Sequence, residues 1–211
     1  MYLKKGLNRQ VIIPARNEAR AIRNVVNDAQ AYVGQVLVID DASTDDTAQQ
    51  AKIAGATVIT NEIQLGYLKS LKSRVNASTG ATIVFLDADG EHDPADIPQL
   101  VAPIEAGTAD MFFGTPGRSV RWSEGVISRL ARLRMPIHDS GFGYRALSGE
   151  LARQIPFRGR CGCGLMALDA QKLGARLLEV PVGWLPVVKK RRRSWCHLIH
   201  FGWVIRGLAG M

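Results

Sequence analysis

The chain has 211 residues, of which 46% are hydrophobic and 22% are charged, values that suit one well-packed domain or one domain with a small appendage. Lys and Arg number 27 against 19 Asp and Glu, so the formal net charge of +8 favours an anionic partner such as a phosphate, a nucleic acid or an anionic membrane face. A spanning helix is excluded, because no run approaches the ~18 to 20 apolar residues that it needs.

The three cysteines are expected to be free thiols in a reducing compartment. Cys161 and Cys163 have no second Cys or His pair at zinc spacing, and Cys196 leaves the count odd. The segment before the first predicted strand, residues 1–9, is short and polar and does not resemble a signal peptide. We therefore expect a cytoplasmic protein that is peripheral to the cytoplasmic membrane face.

Short apolar strands alternate with amphipathic helices between residues 10 and 113. Apolar runs predict strands at residues 10–14, 36–39, 57–60, 83–86 and 110–113. Helices are predicted to begin after Asn17 as the N-cap, after the polar turn at 40–46, near Tyr67 and at Pro94. This alternation predicts a mostly parallel sheet with helices on both faces.

The alternation weakens after residue 113. Apolar spacing predicts helices at 126–133, 149–154 and 165–173, and a last strand at 177–182. The stretch 138–145 is glycine-rich and polar, so we expect it to line a site rather than to be buried in a core.

The strand at 83–86 leads directly into a group of acidic residues. Side chains alternate across a strand, so Asp87 and Asp89 share one side while Ala88 points away. Two adjacent carboxylates are tolerated if a divalent cation lies between them, and hard oxygen ligands suit Mg²⁺ or Mn²⁺. Glu91 is a candidate third ligand. The alternative is a loop of solvated acids that starts the next helix.

Polar residues also follow the first two predicted strands, at 14–18 and at Asp40 and Asp41. In parallel sheets of this kind, ligands bind outside the carboxyl ends of the strands. These strand ends, together with the acidic one, predict a ligand site.

Four motifs, at residues 13–18, 38–45, 86–94 and 139–145, resemble in order and spacing those of the inverting family-two glycosyltransferases. Within that family the chain looks most like the polyprenyl (dolichyl) phosphate sugar transferases. The resemblance implies an α/β GT-A (Rossmann-like) fold with a mostly parallel twisted sheet. It also implies a single domain over 1–188, with a nucleotide-binding half at 1–113 and an acceptor half at 114–188.

The function implied by this resemblance is sugar transfer from a nucleotide-diphosphate sugar, of the GDP-mannose or UDP-glucose type, with inversion and with Mg²⁺ or Mn²⁺. The implied acceptor is a polyprenyl or dolichyl phosphate. Such a phosphate monoester has a second pKa near ~6 and is mostly dianionic at neutral pH, so it needs no strong general base. A hydroxyl acceptor would need one, and Asp139 and Glu91 are the candidates.

The resemblance also assigns residues to roles. It implies that Pro14, Arg16, Glu18 and Asp41 bind the base and the ribose, whereas Asp40 stabilises the turn. The diphosphate and its metal fall to Asp87, Ala88, Asp89 and Glu91. The resemblance implies that Arg118 binds the acceptor phosphate, with Arg121 and Arg145 as further candidates. Asp139 is a candidate catalytic residue or a turn cap.

Three positions depart from the family pattern. Arg16 stands where an aromatic residue is common, so an arginine plane would stack on the base. Glu91 replaces the more usual Gln and adds a charge to the metal site. Ser194-Trp195 replaces a Ser-Lys pair, so the phosphate clamp would fall to Lys189, Lys190 or Arg193.

Other functions are open. A hydroxyl acceptor, on a polysaccharide or a small molecule, is the main alternative, and a non-catalytic regulatory homologue is another. A nucleic-acid binder is not favoured, because the chain has one basic cluster and no known nucleic-acid module.

The tail at 189–211 starts with five cations, at 189–193, and continues with mostly apolar residues. A helix over 195–209 would be about 22 Å long, too short to cross a ~30 Å hydrocarbon core. It would either pack on the domain or lie in the membrane interface beside a lipid substrate.

Overall fold

The computed structural model describes residues 8–76, 78–115, 137, 143–159, 164–183, 185 and 187. The predicted helix at 126–133, the Cys161 to Cys163 turn and the tail at 189–211 lie outside these residues. Within the described part of the chain, no helix is both long enough and apolar enough to cross a membrane.

The described strands form one mixed sheet with the order β3-β2-β1-β4-β6-β5-β7. The strands are β1 Arg9–Ala15, β2 Gln35–Asp40, β3 Thr57–Thr60, β4 Thr82–Phe85, β5 Met111–Thr115, β6 Arg145–Ser148 and β7 Leu177–Pro181. Strands β3, β2, β1 and β4 are parallel to one another, and β7 is parallel to β5. The expected mostly parallel sheet is confirmed.

Strand β6 is the antiparallel member, and it lies between β4 and β5. The sequence predicted a site-lining stretch that ends at Arg145 rather than a strand that begins there. The local sequence of β6 is short and starts with a charged residue, so its pairing partners, which are distant in the chain, determine that it is a strand.

The helices connect the strands in the predicted places. They are α1 Ile22–Ala29, α2 Thr47–Ile53, α3 Tyr67–Val75, α4 Ile97–Glu105, α5 Gly149–Gln154 and α6 Leu165–Lys172. A 3-10 turn at Pro94–Asp96 precedes α4, and the Asp93 carboxylate accepts a hydrogen bond from Ala95 N at its start. Proline in this first turn costs no hydrogen bond, as the sequence predicted.

Two buried clusters lie on the opposite faces of the sheet. Alternation along β1 places Ile12 in one cluster, with residues of α3, α5 and α6. It places Val11 and Ile13 in the other, with residues of α1, α2 and α4. The expectation of helices on both faces is therefore confirmed.

The prediction that Asn17 caps the first helix is wrong. Helix α1 begins at Ile22, and Ala21 occupies the N-cap position. Asn17 instead has a positive φ of 56°, a conformation that asparagine tolerates better than most residues. Its Oδ1 accepts a hydrogen bond from Thr44 N at 2.8 Å, so the side chain joins two loops rather than starting a helix.

Candidate functional site

The carboxyl ends of β2, β1 and β4 lie side by side, because these strands are neighbours and run parallel. Ala15 pairs with Asp40 in the register of β1 and β2. The sheet thereby brings together three of the predicted motifs, at 14–18, at Asp40 and Asp41, and at 87–91. The fourth, at 139–145, is described only from Gly143 onward.

The first two motifs are joined by hydrogen bonds from backbone amides to side chains. Asn17 N donates to Ser43 Oγ at 3.0 Å, and Glu18 N donates to Thr47 Oγ1 at 2.8 Å. The Asp45 carboxylate accepts from Thr47 N and, on its other oxygen, from Ala19 N. Burial raises the pKa of Asp45, but these hydrogen bonds outweigh it, and the pKa lies below the usual value. The loops form one braced unit.

Asp41 is 5% exposed and is held by four donors. Its Oδ1 accepts from Leu65 N at 2.7 Å, Asn61 Nδ2 at 3.0 Å and Ser70 Oγ at 3.0 Å, and its Oδ2 accepts from Gly66 N at 2.8 Å. Burial raises the pKa of Asp41, but these hydrogen bonds outweigh burial and the pKa lies below its usual value. Asp41 therefore shapes the loop before α3, a role that the sequence did not reveal.

A cleft of about 620 Å³ opens beside this loop. Its lining comprises Pro14, Ala15, Arg16, Asp41, Gln64, Leu65, Gly66, Tyr67, Leu68, Lys69, Ser70 and Gly159. Pro14, Arg16 and Asp41 were predicted from the sequence to bind a nucleotide, and all three line it. Glu18 is not in the lining; its backbone amide braces the neighbouring loop instead.

Arg16 Nη1 is buried and has no hydrogen-bond partner among the described residues. An unpaired buried donor is costly, because folding removes it from water without giving it an acceptor. A ligand with oxygen acceptors in the cleft would supply what Nη1 lacks. This is the clearest ligand signal in the cleft, and it comes from the residue that departs from the family pattern.

The acidic pair follows β4, as predicted. Ala88 is 4% exposed and joins the core cluster beneath α1, whereas the Asp87 side chain is 31% exposed. Asp89 Oδ1 accepts from Glu91 N at 3.1 Å, and Gly90 between them has a positive φ of 80°, which glycine adopts readily. The turn thus presents two partly exposed carboxylates and a buried alanine.

The three acidic residues do not form a ready three-ligand metal cage. Among the described residues, no three His, Cys, Asp or Glu side chains are placed to hold a metal ion together. Glu91 is 9% exposed, and its backbone oxygen accepts from Leu185 N at 2.9 Å. The role of Glu91 as a third metal ligand beside Asp87 and Asp89 stays a prediction. Two carboxylates still suit Mg²⁺ or Mn²⁺, since these ions usually keep waters and bind substrate phosphates.

Tyr67 is a site residue that sequence reasoning identified only as a helix start. It lines the cleft and packs on the core. Burial raises the pKa of its hydroxyl well above the usual value, and the charges of Asp87 and Asp89 raise the pKa further against the opposing effect of Arg145. A neutral phenol therefore lines the cleft, within electrostatic range of the acidic pair. Neither Gly66, which precedes Tyr67, nor the spacing of the loop indicated in the sequence that Tyr67 lines the cleft.

Arg145 is 2% exposed and belongs to the core rather than to an open acceptor surface. Its guanidinium lies 5.4 Å from the centre of the Phe113 ring, and its Nη1 lies 3.5 Å from the sulfur of Met166. The other predicted acceptor-side residues lie outside the described part of the chain; they are Arg118, Arg121, Asp139, Lys189, Lys190 and Arg193.

A mostly parallel sheet with a nucleotide-sized cleft and an acidic strand end beside it is typical of glycosyltransferases with the GT-A fold. Residues 10–167 match the domain described as glycosyl transferase family 2. The chain belongs to that family.

Two curated relatives illustrate the range of the family. An uncharacterized glycosyltransferase of Mycobacterium tuberculosis is 34% identical over 139 residues, which are 61% of this chain and 62% of the relative. A polyprenol monophosphomannose synthase of Mycolicibacterium smegmatis is 30% identical over 201 residues, which are 82% of this chain and 75% of the relative. This chain thus spans less than two thirds of the first relative's length.

Among solved structures, glucosyl-3-phosphoglycerate synthase from Mycobacterium tuberculosis matches over 96% of this chain. Its complex with Mn²⁺, UDP and glucosyl-3-phosphoglycerate has a TM-score of 0.76 at 25% identity and is covered over 79% of its length. Its complex with Mg²⁺ and UDP has a TM-score of 0.74 at 25% identity and is covered over 78%. The GT-A fold expected from the sequence is confirmed.

Proposed function

We propose that this protein is a metal-dependent glycosyltransferase that moves a sugar, with inversion, from a nucleoside-diphosphate sugar to a phosphate-bearing acceptor. The observation that carries the proposal is the pair Asp87 and Asp89 just after β4, at the same edge of the sheet as a cleft of about 620 Å³ whose lining includes Pro14 and Ala15 of the neighbouring strand β1. The donor's nucleoside would occupy the cleft, and its diphosphate would lie toward the acidic pair.

The cleft offers complementary groups to a nucleoside. Arg16 supplies a donor to carbonyl, ribose or phosphate oxygens, because its Nη1 has no partner among the described residues. Asp41 Oδ2 accepts one hydrogen bond in the structure, from Gly66 N, and a carboxylate oxygen has capacity for another. A base with an imino N–H beside a carbonyl, as in uracil or guanine, matches this acceptor and donor pair.

Asp87 and Asp89 would hold Mg²⁺ or Mn²⁺. The solved relative contains Mn²⁺ with UDP in one complex and Mg²⁺ with UDP in another, which supports this choice of ion. When bound, the ion would neutralise charge on the departing diphosphate. The protein's own contribution would be to present two partly exposed carboxylates just after β4, with Ala88 buried between them.

An acceptor phosphate attacks the anomeric carbon from the face opposite the leaving diphosphate, and this inverts the centre. The phosphate needs no strong base, as it is mostly dianionic at neutral pH. Polyprenyl phosphate is our first candidate, supported by the polyprenol monophosphomannose synthase relative. Arg118 and Lys189 remain proposed ligands of this phosphate, and residues 189–211 are the proposed contact with the cytoplasmic membrane face.

A second acceptor is favoured by a separate observation. The structural match to glucosyl-3-phosphoglycerate synthase points to phosphoglycerate, a soluble acceptor. The two candidates share a phosphate but differ in the need for a lipid. A hydroxyl nucleophile would need a general base, for which Asp139 and Glu91 remain the candidates.

One assay series tests the proposal. A thermal-shift screen of UDP, GDP and their sugars, with and without Mn²⁺, identifies the donor, because a ligand that binds only the folded protein raises its melting temperature. Turnover is then measured with a polyprenyl phosphate and with 3-phosphoglycerate in parallel. Metal-dependent transfer to either acceptor supports the proposal and selects between the candidates. The proposal is overturned if no nucleotide stabilises the protein in the presence of metal.

A further inference from the structure

His92 is buried, at 2% exposure, directly behind the carboxylate of Asp87. Its Nδ1 accepts a hydrogen bond from Asp87 N at 3.1 Å. Its Nε2 lies 3.6 Å from Asp87 Oδ2. One imidazole ring therefore faces both the backbone and the side chain of the same acidic residue. No motif in the sequence indicates this contact.

The hydrogen bond at Nδ1 determines where the ring proton lies. A nitrogen that accepts the Asp87 N–H must present a lone pair, so the neutral ring carries its proton on Nε2. That N–H lies on the side of Asp87 Oδ2. At 3.6 Å the contact is longer than a hydrogen bond, so a direct bond requires the carboxylate to move slightly toward the ring.

The ring itself has little freedom to move. It stacks on Tyr144, with centroids 4.9 Å apart and planes 7° from parallel. Tyr144 is fully buried, and its hydroxyl donates to Asp93 O at 2.9 Å. The chain on both sides of the acidic turn is thus tied to the same aromatic pair.

Gly143 confines the Asp87 carboxylate from another direction. A Cβ added to Gly143 would lie 2.6 Å from Asp87 Oδ2 and 3.0 Å from Oδ1. The carboxylate therefore packs directly against the Gly143 backbone, and there is no room there for a side chain. His92 and Gly143 together restrict the positions available to the carboxylate.

We propose that His92 is a positioning residue for the metal site: its Nε2–H holds the Asp87 carboxylate in the orientation that binds the divalent ion. Histidine and carboxylate partners of this kind orient metal ligands in many proteins, and their loss typically weakens metal binding about 10- to 100-fold. The proposal rests on the metal role of Asp87 given above.

Two substitutions separate the two ring nitrogens. In His92→Asn the side-chain oxygen can take the place of Nδ1 and accept from Asp87 N, but the amide does not reach Oδ2. In His92→Gln the longer amide can donate near the position of Nε2, while the Asp87 N–H loses its acceptor. Positioning through Nε2 therefore predicts that Gln preserves metal binding and that Asn does not.

The readout is Mn²⁺ affinity in the presence of UDP, followed by electron paramagnetic resonance of the free ion and by calorimetry. We expect His92→Asn to bind Mn²⁺ about 10- to 100-fold more weakly than wild type, and His92→Gln to stay within about 3-fold. Gly143→Ala, which displaces the same carboxylate from the other side, is expected to weaken Mn²⁺ binding as His92→Asn does. Melting temperatures are recorded for each variant.

Equal loss in the Asn and Gln variants would contradict the proposal, since it would indicate a packing role for the ring. Wild-type affinity in both, or loss in Gln alone, would contradict it as well. If His92→Asn does not fold, Gly143→Ala and His92→Gln decide: weak binding in the first and near-wild-type binding in the second support the proposal. A wild-type protein whose UDP binding is not strengthened by Mn²⁺ would instead contradict the metal role of Asp87 on which this proposal rests, which is a different result from any of these.

Discussion

At the scale of single residues, Asp41 and Arg16 both line the cleft, but they differ in how far their charged groups are hydrogen-bonded. Asp41 is a buried carboxylate with four donors, whereas Arg16 has a buried nitrogen with no partner among the described residues. The first residue stabilises the fold around the cleft, and the second is stabilised only when a ligand arrives. Substitutions at both positions should weaken nucleotide binding, but only a substitution at Asp41 should also lower stability.

Asp41→Asn should lower the free energy of unfolding by about 1 to 3 kcal/mol at pH 7, because an amide nitrogen replaces one charged acceptor among four donors. The pKa of Asp41 is lowered in the folded protein, so its contribution is present above the unfolded value of about 4 and is lost as the pH falls through the folded value. Urea unfolding at pH 7 and at pH 3 measures this.

The gap between wild type and Asp41→Asn should therefore shrink at pH 3. Asp46→Asn is the matched control, because Asp46 is exposed and its side chain makes no capping hydrogen bond. A gap that is unchanged between the two pH values would show that the charge of Asp41 is not what stabilises the loop.

Arg16→Ala should weaken UDP binding about 10-fold or more, which corresponds to the loss of a charged hydrogen bond of ~1.5 kcal/mol or more. It should leave the free energy of unfolding unchanged or raise it, because it removes a buried donor that has no acceptor in the unliganded site. Calorimetry with UDP and thermal unfolding measure the two effects. Arg20→Ala, at an exposed position, is the control. A large loss of stability would show instead that Arg16 is a structural residue.

At the scale of secondary-structure elements, the junction of β6 and α5 fixes the antiparallel strand in the sheet. Gly149 begins α5 immediately after β6, and its N–H donates to Ala81 O at 2.7 Å. A Cβ at Gly149 would lie 2.1 Å from Gly80 O. The helix can start there only because no side chain stands between it and the chain leading into β4.

Gly149→Ala should therefore destabilise the protein by at least about 1 to 3 kcal/mol, the usual cost of an overpacked site, since a backbone atom cannot move aside as a side chain does. Gly183→Ala is the control, because its nearest contact, Asp96 Oδ2, would be 3.4 Å away. Chemical denaturation of both variants tests this. Equal stability of the two would mean that the junction yields more easily than its geometry indicates.

The elements that local sequence determines were predictable. Apolar runs gave the parallel strands, and helical spacing gave α1 to α4, because each segment carries its own period. Strand β6 was not predictable, since four residues starting with Arg145 become a strand only through pairing with β4 and β5. For the site, motifs were enough to propose Asp87, Asp89 and Asp41. The four donors to Asp41 and the stacking of His92 on Tyr144 were not predictable, because they depend on segments that are distant in the chain.

At the scale of the whole molecule, the net charge of +8 and its local concentration bear on the acceptor. Five of the 27 basic residues lie at 189–193, just before the apolar residues of the tail. These residues lie outside the described part of the chain, so their interaction with a membrane is a prediction from sequence. A lipid-phosphate acceptor would require the protein to reach a membrane surface.

Replacing the five basic residues at 189–193 by Gln should release the protein from anionic vesicles, because each charge contributes about 1 kcal/mol near an anionic surface. Sedimentation with phosphatidylserine-containing vesicles, at low and high salt, measures this, with neutral phosphatidylcholine vesicles as control. Salt should weaken binding of the wild type. If the wild type does not bind anionic vesicles at low salt, the proposal of a polyprenyl phosphate acceptor is contradicted and the soluble acceptor is favoured.

The central claim is that Asp87 and Asp89 bind the metal that holds the donor's diphosphate. Calorimetric titration of UDP into wild type, Asp89→Asn and the remote control Asp28→Asn, each with and without Mn²⁺, tests it most directly; Asp28 is an exposed residue of α1. We predict that Mn²⁺ strengthens UDP binding by wild type and by Asp28→Asn, and that Asp89→Asn loses this dependence while it remains folded. Undiminished Mn²⁺-dependent binding by Asp89→Asn would contradict the claim.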